Sequence, residues 1–205
     1  MASKLPSGFV MAGGMSRRFG TDKALATLGG ETVLARLCRV LASAAEEVRV
    51  VAPPGRYLDQ QLRLVEDRWP GEGPLGGVVT ALRAANPGPS AWSLIVSCDL
   101  PFLTAEWLCY LAGRAAASAA DVLCARSEAG EVPLCACWRN AAAAPLEAAF
   151  HSGVRSIAEG MKRLGAEILD EKDWKRFDSA GRLFWNMNTR RDYEEALRAW
   201  EMQRP

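Results

Sequence analysis

Histidine and one-signed charge are what this 205-residue chain most lacks. It has one histidine, His151, and 25 Lys and Arg against 24 Asp and Glu. A lone histidine in a segment without a motif points away from Ser-His-Asp chemistry and from His-ligated zinc. Balanced charge gives no global field for nucleic acid or an acidic membrane surface, so any anion site must be local. The six cysteines, at 38, 98, 109, 124, 135 and 137, form no CxxC pair. Most lie in apolar runs such as DVLCA and LIVSC, where Cys acts as a small hydrophobe, and reduced thiols are expected. Cys135 and Cys137 alternate onto one face of a strand, which is too little for a zinc site. No apolar run approaches ~18 residues, and Gly13, Gly14 and the charges after them cut short any secretory core. The expectation is a soluble cytoplasmic protein with no membrane and no nucleic-acid partner.

What is present is apolar substance in alternating periods. With 49% hydrophobic and 24% charged residues the chain can bury a full core as one domain. GFVMA, EVRVVA, LRLVED and SLIVSCD read as strands. TVLARLCRVLAS, VVTALRAA entered through Pro74, and TAEWLCYLAGRAAA with its Thr-x-Glu start read as helices. DVLCAR and VPLCACW add two strands across the turn at 128–131, and helical segments follow around 141–150 and 156–164. This alternation predicts an α/β fold with a mostly parallel central sheet and helices on both faces. Ligands in such sheets bind outside the carboxyl ends of the strands, and three polar, glycine-bearing loops fall there. They are AGGMSRRFGTDK, EDRWPGEGPLGG and CDLP.

The first loop is neither a P-loop nor a Gly-x-Gly-x-x-Gly fingerprint, since five residues separate Gly14 from Gly20 and no Gly-Lys-Ser/Thr follows. It can still cradle phosphate: glycine amides approach closely while Arg18 and Lys23 neutralise charge. Asp99 ends the most apolar strand. A carboxylate there can hold a hard cation such as Mg²⁺, which uses one or two carboxylates plus substrate phosphates, or it can serve a turn or helix cap. Asp67 faces the same choice. In WNMNTRRDY, a Thr-x-x-Asp capping box accounts for Thr189 and Asp192 but leaves Asn186 and Asn188 over, whose amides suit a polar heterocycle or a phosphate ester. A reaction needing no protein base fits this inventory. Nucleotidyl transfer onto a phosphate monoester is one, because the attacking phosphate, with a second pKa near ~6, is already ionised at neutral pH.

Residues 11–23, MAGGMSRRFGTDK, closely resemble the Leu-Ala-Gly-Gly-x-Ser-x-Arg-Met-Gly-x-Asp-Lys signature of molybdenum cofactor guanylyltransferases. GPLGG at 73–77, Asp99-Leu100-Pro101 and Asn186-Met187-Asn188-Thr189 resemble their Gly-Pro-Leu-x-Gly, Asp-x-Pro and Asn-x-Asn-Thr elements, in family order. The resemblance implies a single-domain, Rossmann-like nucleotidyltransferase fold over 1–205, with a nucleotide portion near 1–110 and an acceptor portion near 111–205. It implies transfer of GMP from GTP to the terminal phosphate of molybdopterin (Mo-molybdopterin), with pyrophosphate released and Mg²⁺ as cofactor. Molybdoenzyme apoproteins or their chaperones would receive the product. Met11, Ala12, Gly13 and Gly14 would present backbone to the nucleotide, and Arg18 and Lys23 would bind its phosphates. Asp67 would hold the nucleoside and Asp99 the metal. Asn186 and Asn188 would lie on the pterin side, and the segment from His151 to Ser156, with Gly153 and Arg155, is a candidate to close over it. Two departures stand out: Ala52-Pro53-Pro54-Gly55 replaces an Asn-containing stretch that helps hold the nucleoside, and Arg190 replaces the proline after Asn-x-Asn-Thr. The rival readings are a cytidylyltransferase acting on molybdopterin or another phosphorylated small molecule, a sugar-1-phosphate nucleotidyltransferase, and a non-catalytic nucleotide sensor or cofactor chaperone.

Overall fold

A computed structural model describes residues 5–14, 19–85 and 91–202. Its elements run β1 (Ser7–Met11), β2 (Thr27–Leu28), β3 (Glu31–Thr32), α1 (Val33–Leu41), β4 (Glu47–Ala52), β5 (Leu64–Glu66), α2 (Pro74–Ala84) and β6 (Trp92–Ser97). They continue with α3 (Ala105–Ala117), β7 (Val122–Ser127), β8 (Gly130–Arg139), α4 (Ala143–His151), α5 (Ile157–Met161), β9 (Ala166–Leu169), α6 (Glu171–Trp174) and α7 (Arg190–Glu201).

Seven strands form one sheet in the order β5-β4-β1-β6-β8-β7-β9. Every pairing is parallel except those of β8, which runs antiparallel to both β6 and β7. The mostly parallel α/β sheet expected from the alternating apolar runs is therefore observed. The reversal at β8 follows from chain length, because the short turn between β7 and β8 permits a hairpin and no crossover. Side chains alternate between two cores. Val10, Val50, Leu94 and Val96 face one core together with α1, α3 and α7. Phe9, Val51 and Ile95 face the other with α2, α4 and α5. Burial on both faces is why these strands read as continuous apolar runs.

Caps fix where the helices begin. Thr32 accepts the Ala35 N–H at the start of α1, and Thr104 accepts the Trp107 N–H at the start of α3, with Glu106 in the first turn. Thr189 and Asp192 form a reciprocal capping box on α7. Strand β9 and the β2–β3 hairpin were not legible in the sequence: β9 has four residues and the two hairpin strands two each, too short to show a period.

Candidate active site

The three polar loops meet as the sheet topology requires. After β1 come Gly13 and Gly14, after β5 comes Asp67, and after β6 come Cys98 and Asp99; these border one cleft of about 340 Å³. The N-terminal end of α2 closes a further side with Gly73, Pro74 and Gly77. A Cβ at Gly77 would stand 2.5 Å from Cε of Met11, the free end of a flexible side chain that would have to turn aside. Gly73 has φ +109°, and a Cβ would also press on Arg155 at 3.1 Å. Gly14 differs: its φ is not positive, and among the described residues a Cβ would meet no atom within 4 Å. Gly14 borders the cleft, where a missing side chain leaves backbone accessible.

Lys23 opens a short 3-10 turn, Lys23–Leu25, whose N-cap is Asp22. The Asp22 carboxylate accepts from the Ala24 N–H at 3.1 Å and the Tyr57 hydroxyl at 2.8 Å, and it pairs with Arg56. That anchoring aims the Lys23 ammonium at the cleft, 3.6 Å from Oδ2 of Asp99 and 3.3 Å from Oδ1 of Asn188. Burial, with the Asp22 carboxylate beside it, raises the pKa of Tyr57, so the phenol stays protonated and donates. Asp22 and Tyr57 were missed as individual residues. The available signal was the Asp-Lys pair, since Asp before a helical turn is a capping residue.

Asp67 is divided between two tasks. Its Oδ1 accepts the Trp69 N–H at 3.1 Å and the buried Thr80 hydroxyl at 3.2 Å. Its Oδ2 lies on the side of Gly13 and Gly77 and borders the cleft. Asp99 caps no helix, since that position before α3 belongs to Thr104. The Asp99 carbonyl accepts the Met187 N–H at 2.8 Å, which pins the Asn-Met-Asn segment against the turn that carries Asp99.

Met11 and the two glycines line the cleft. Ala12 does not: its N–H donates to the Val51 carbonyl and its own carbonyl lies 3.3 Å from the Tyr57 hydroxyl, so its backbone is used in support. Asn188 reaches the site through Lys23, whereas Asn186 is exposed and does not border the cleft. Arg18 lies outside the described residues. Arg155 stands at the lip, where its carbonyl accepts the Leu75 N–H and its guanidinium pairs with Glu72 at 3.2 Å. Pro53, in the departure noted above, lies beside Gly13. Cys98 floors the cleft as a neutral thiol, because burial pushes its pKa up to about 12 against the opposing pull of Lys23.

Among the described residues, no group of three or more His, Cys, Asp or Glu side chains is placed to hold a metal ion. Asp99 brings one carboxylate to the cleft, a donor type suited to a hard cation that draws its other oxygens from phosphate and water. Among the described residues no helix is long and apolar enough to cross a membrane.

Residues 8–168 match the model of the MobA-like NTP transferase domain. A probable molybdenum cofactor guanylyltransferase of Chloroflexus aggregans is 35% identical over 188 residues, covering 89% of each chain. A molybdenum cofactor guanylyltransferase of Syntrophotalea carbinolica is 28% identical, covering 98% of this chain and 93% of that one. The crystal structure of molybdopterin-guanine dinucleotide biosynthesis protein A from Archaeoglobus fulgidus superposes with a TM-score of 0.83 at 23% identity, over 96% of this chain and all of the other. At that identity the likeness speaks for the fold.

Proposed function

Because the chain belongs to the MobA-like NTP transferase family, and is thereby a nucleotidyltransferase, we propose that it transfers GMP from GTP to the terminal phosphate of molybdopterin. The products are molybdopterin guanine dinucleotide and pyrophosphate. The names of its relatives support this choice of substrates. The observation that carries the reading is the position of Lys23, one ammonium between Asp99 on the nucleotide side and Asn188 on the acceptor side.

An oxygen of the acceptor phosphate attacks the α-phosphorus of GTP, and the bond to the bridging oxygen of the leaving pyrophosphate breaks. No side chain needs to remove a proton, because the attacking oxygen is already anionic. The protein's task is to position and neutralise. Gly13 and Gly14 admit the triphosphate with Met11 and Ala12 behind them, Lys23 and Arg18 offset its charge, and Asp67 holds the nucleoside through Oδ2. Asn188 and, farther out, Asn186 and Arg155 belong to the acceptor side. Asp99 would hold a divalent cation, proposed as Mg²⁺, which when bound neutralises charge developing on the phosphate oxygens.

The whole chain acts in this reading as one nucleotidyltransferase domain, with its nucleotide portion near 1–110 and its acceptor portion near 111–205. It works in the cytoplasm, without membrane or nucleic acid, and passes its product to molybdoenzyme apoproteins or their chaperones.

Pyrophosphate release with Mg²⁺ and molybdopterin, compared across GTP, CTP, ATP and UTP at equal concentration, tests the reading. Strong preference for GTP is expected. Preference for CTP would keep the chemistry and overturn the base assignment, and nucleotide binding without release would overturn the catalytic reading.

A further inference from the structure

Arg36 lies on α1, outside the cleft, yet its guanidinium is spent on the turn that carries Asp99. Its Nε donates to the Pro101 carbonyl at 2.8 Å and its Nη2 to the Leu103 carbonyl at 3.4 Å. Trp200 of α7 lies under the guanidinium with its ring centroid 4.4 Å from Cζ, and Glu31 stands 3.9 Å from Nη1. The side chain is 14% exposed. Burial, and the repulsion of Arg39, work against its positive charge, which Glu31 supports. A partly buried guanidinium is costly unless its donors are used, so one placed here is explained best by the carbonyls it holds.

The turn needs such a hold. Inside it the backbone bonds run from Leu100 N–H to the Ser97 carbonyl at 3.2 Å and from Leu103 N–H to the Leu100 carbonyl at 3.4 Å, both toward the long end of the range. Pro101 brings no N–H of its own. On the cleft side, Met187 N–H holds the Asp99 carbonyl. On the far side the matching hold is the fork of Arg36. Two carbonyls two residues apart suit a planar guanidinium, and a lysine ammonium offers no such rigid pair of donors.

We propose that Arg36, backed by Trp200, is a positioning residue that fixes the Asp99 turn, and through it the direction in which the Asp99 carboxylate meets the divalent cation. The proposal rests on the reading of Asp99 as the metal carboxylate. Arg36 does not border the cleft, so its effect is expected on metal affinity and not on nucleotide affinity.

The test uses the whole protein with GTP and no acceptor. Mn²⁺ held on the protein is titrated by water-proton relaxation, GTP binding is measured separately in EDTA, and thermal unfolding is recorded for each variant. Arg36→Met, which keeps the apolar stem over Trp200, is expected to weaken Mn²⁺ binding about tenfold, the smaller end of what losing a ligand's supporting hydrogen bond costs. Its GTP affinity in EDTA should not change, and Arg36→Lys should fall between it and the unmodified protein. Unchanged Mn²⁺ affinity in Arg36→Met overturns the proposal. So does a parallel loss of Mn²⁺ affinity, GTP affinity and unfolding midpoint in both Arg36 variants, which would mark a merely structural role. Asp99→Ala separates the two levels. If it abolishes Mn²⁺ binding while Arg36→Met does not weaken it, the clamp alone is wrong; if Asp99→Ala binds Mn²⁺ normally, the metal reading itself fails and the clamp with it.

Discussion

Lys23 owes its position to a neighbour that does no chemistry. Asp22 collects an amide, a phenol and a guanidinium, and the turn it caps points the ammonium at Asp99 and Asn188. The consequence for mutation is a sharp division between activity and stability. Lys23→Ala and Asp99→Ala are each expected to lower kcat by about 10²–10³, the scale of losing one preorganised charge contact to the transition state. Neither residue belongs to the two hydrophobic cores, so the unfolding midpoint of each variant should stay close to that of the unmodified protein. Near-normal turnover in either variant would remove that residue from the mechanism. Steady-state kinetics beside thermal unfolding reads both quantities.

Helix α7 joins parts of the molecule that are far apart in sequence. Tyr193 donates to the Thr27 carbonyl at 2.8 Å and packs on Phe19 with ring centroids 5.6 Å apart, while Trp200 backs Arg36 and also meets Phe102. The helix depends on its capping box, in which Asp192 receives the amides of Asn188 and Thr189. Partial burial opposes ionisation of Asp192, but these bonds outweigh it and leave its pKa lowered. Thr189→Ala should cost about 1 kcal/mol of stability, read as a fall of about 2–4 °C in the unfolding midpoint for a chain of this size. These elements also mark the limit of what the sequence made legible. The strands β1, β4, β6 and β7 and the helices α1, α2 and α3 announced themselves by apolar period, with Pro74 at the entry of α2 and a Thr-x-Glu start at α3, and the cleft followed from glycines and carboxylates at strand ends. The reversal of β8, the role of Asp22 and the fork of Arg36 were not visible. A reversed strand has the same apolar pattern as a parallel one, and a surface arginine and a buried one are the same letter until the carbonyls they serve have been folded into place.

At the scale of the whole molecule, the thiols report the integrity of both cores. Burial pushes Cys38 up to about 11 and Cys98, Cys124 and Cys135 up to about 12, and it raises Cys137 as well. In the unfolded chain these groups ionise near ~8.5. The folded state therefore keeps protons that the unfolded state releases, so this contribution is complete below that value and is lost as pH rises through 11 and 12. Urea unfolding followed from neutral to alkaline pH should show stability falling once the solution passes about pH 9. Iodoacetamide should meanwhile label the exposed Cys109 ahead of the five more enclosed thiols. The same compactness bears on how two substrates share one protein. The ammonium of Lys23 contacts both Asp99 and Asn188, and the Asp99 carbonyl is bonded to the amide of Met187 between the two asparagines. Under the proposed function, donor and acceptor would not bind independently. Whatever factor the nucleoside triphosphate imposes on the affinity for the phosphorylated acceptor, the acceptor returns to the triphosphate unchanged, since the coupling free energy belongs to the pair and to neither partner alone.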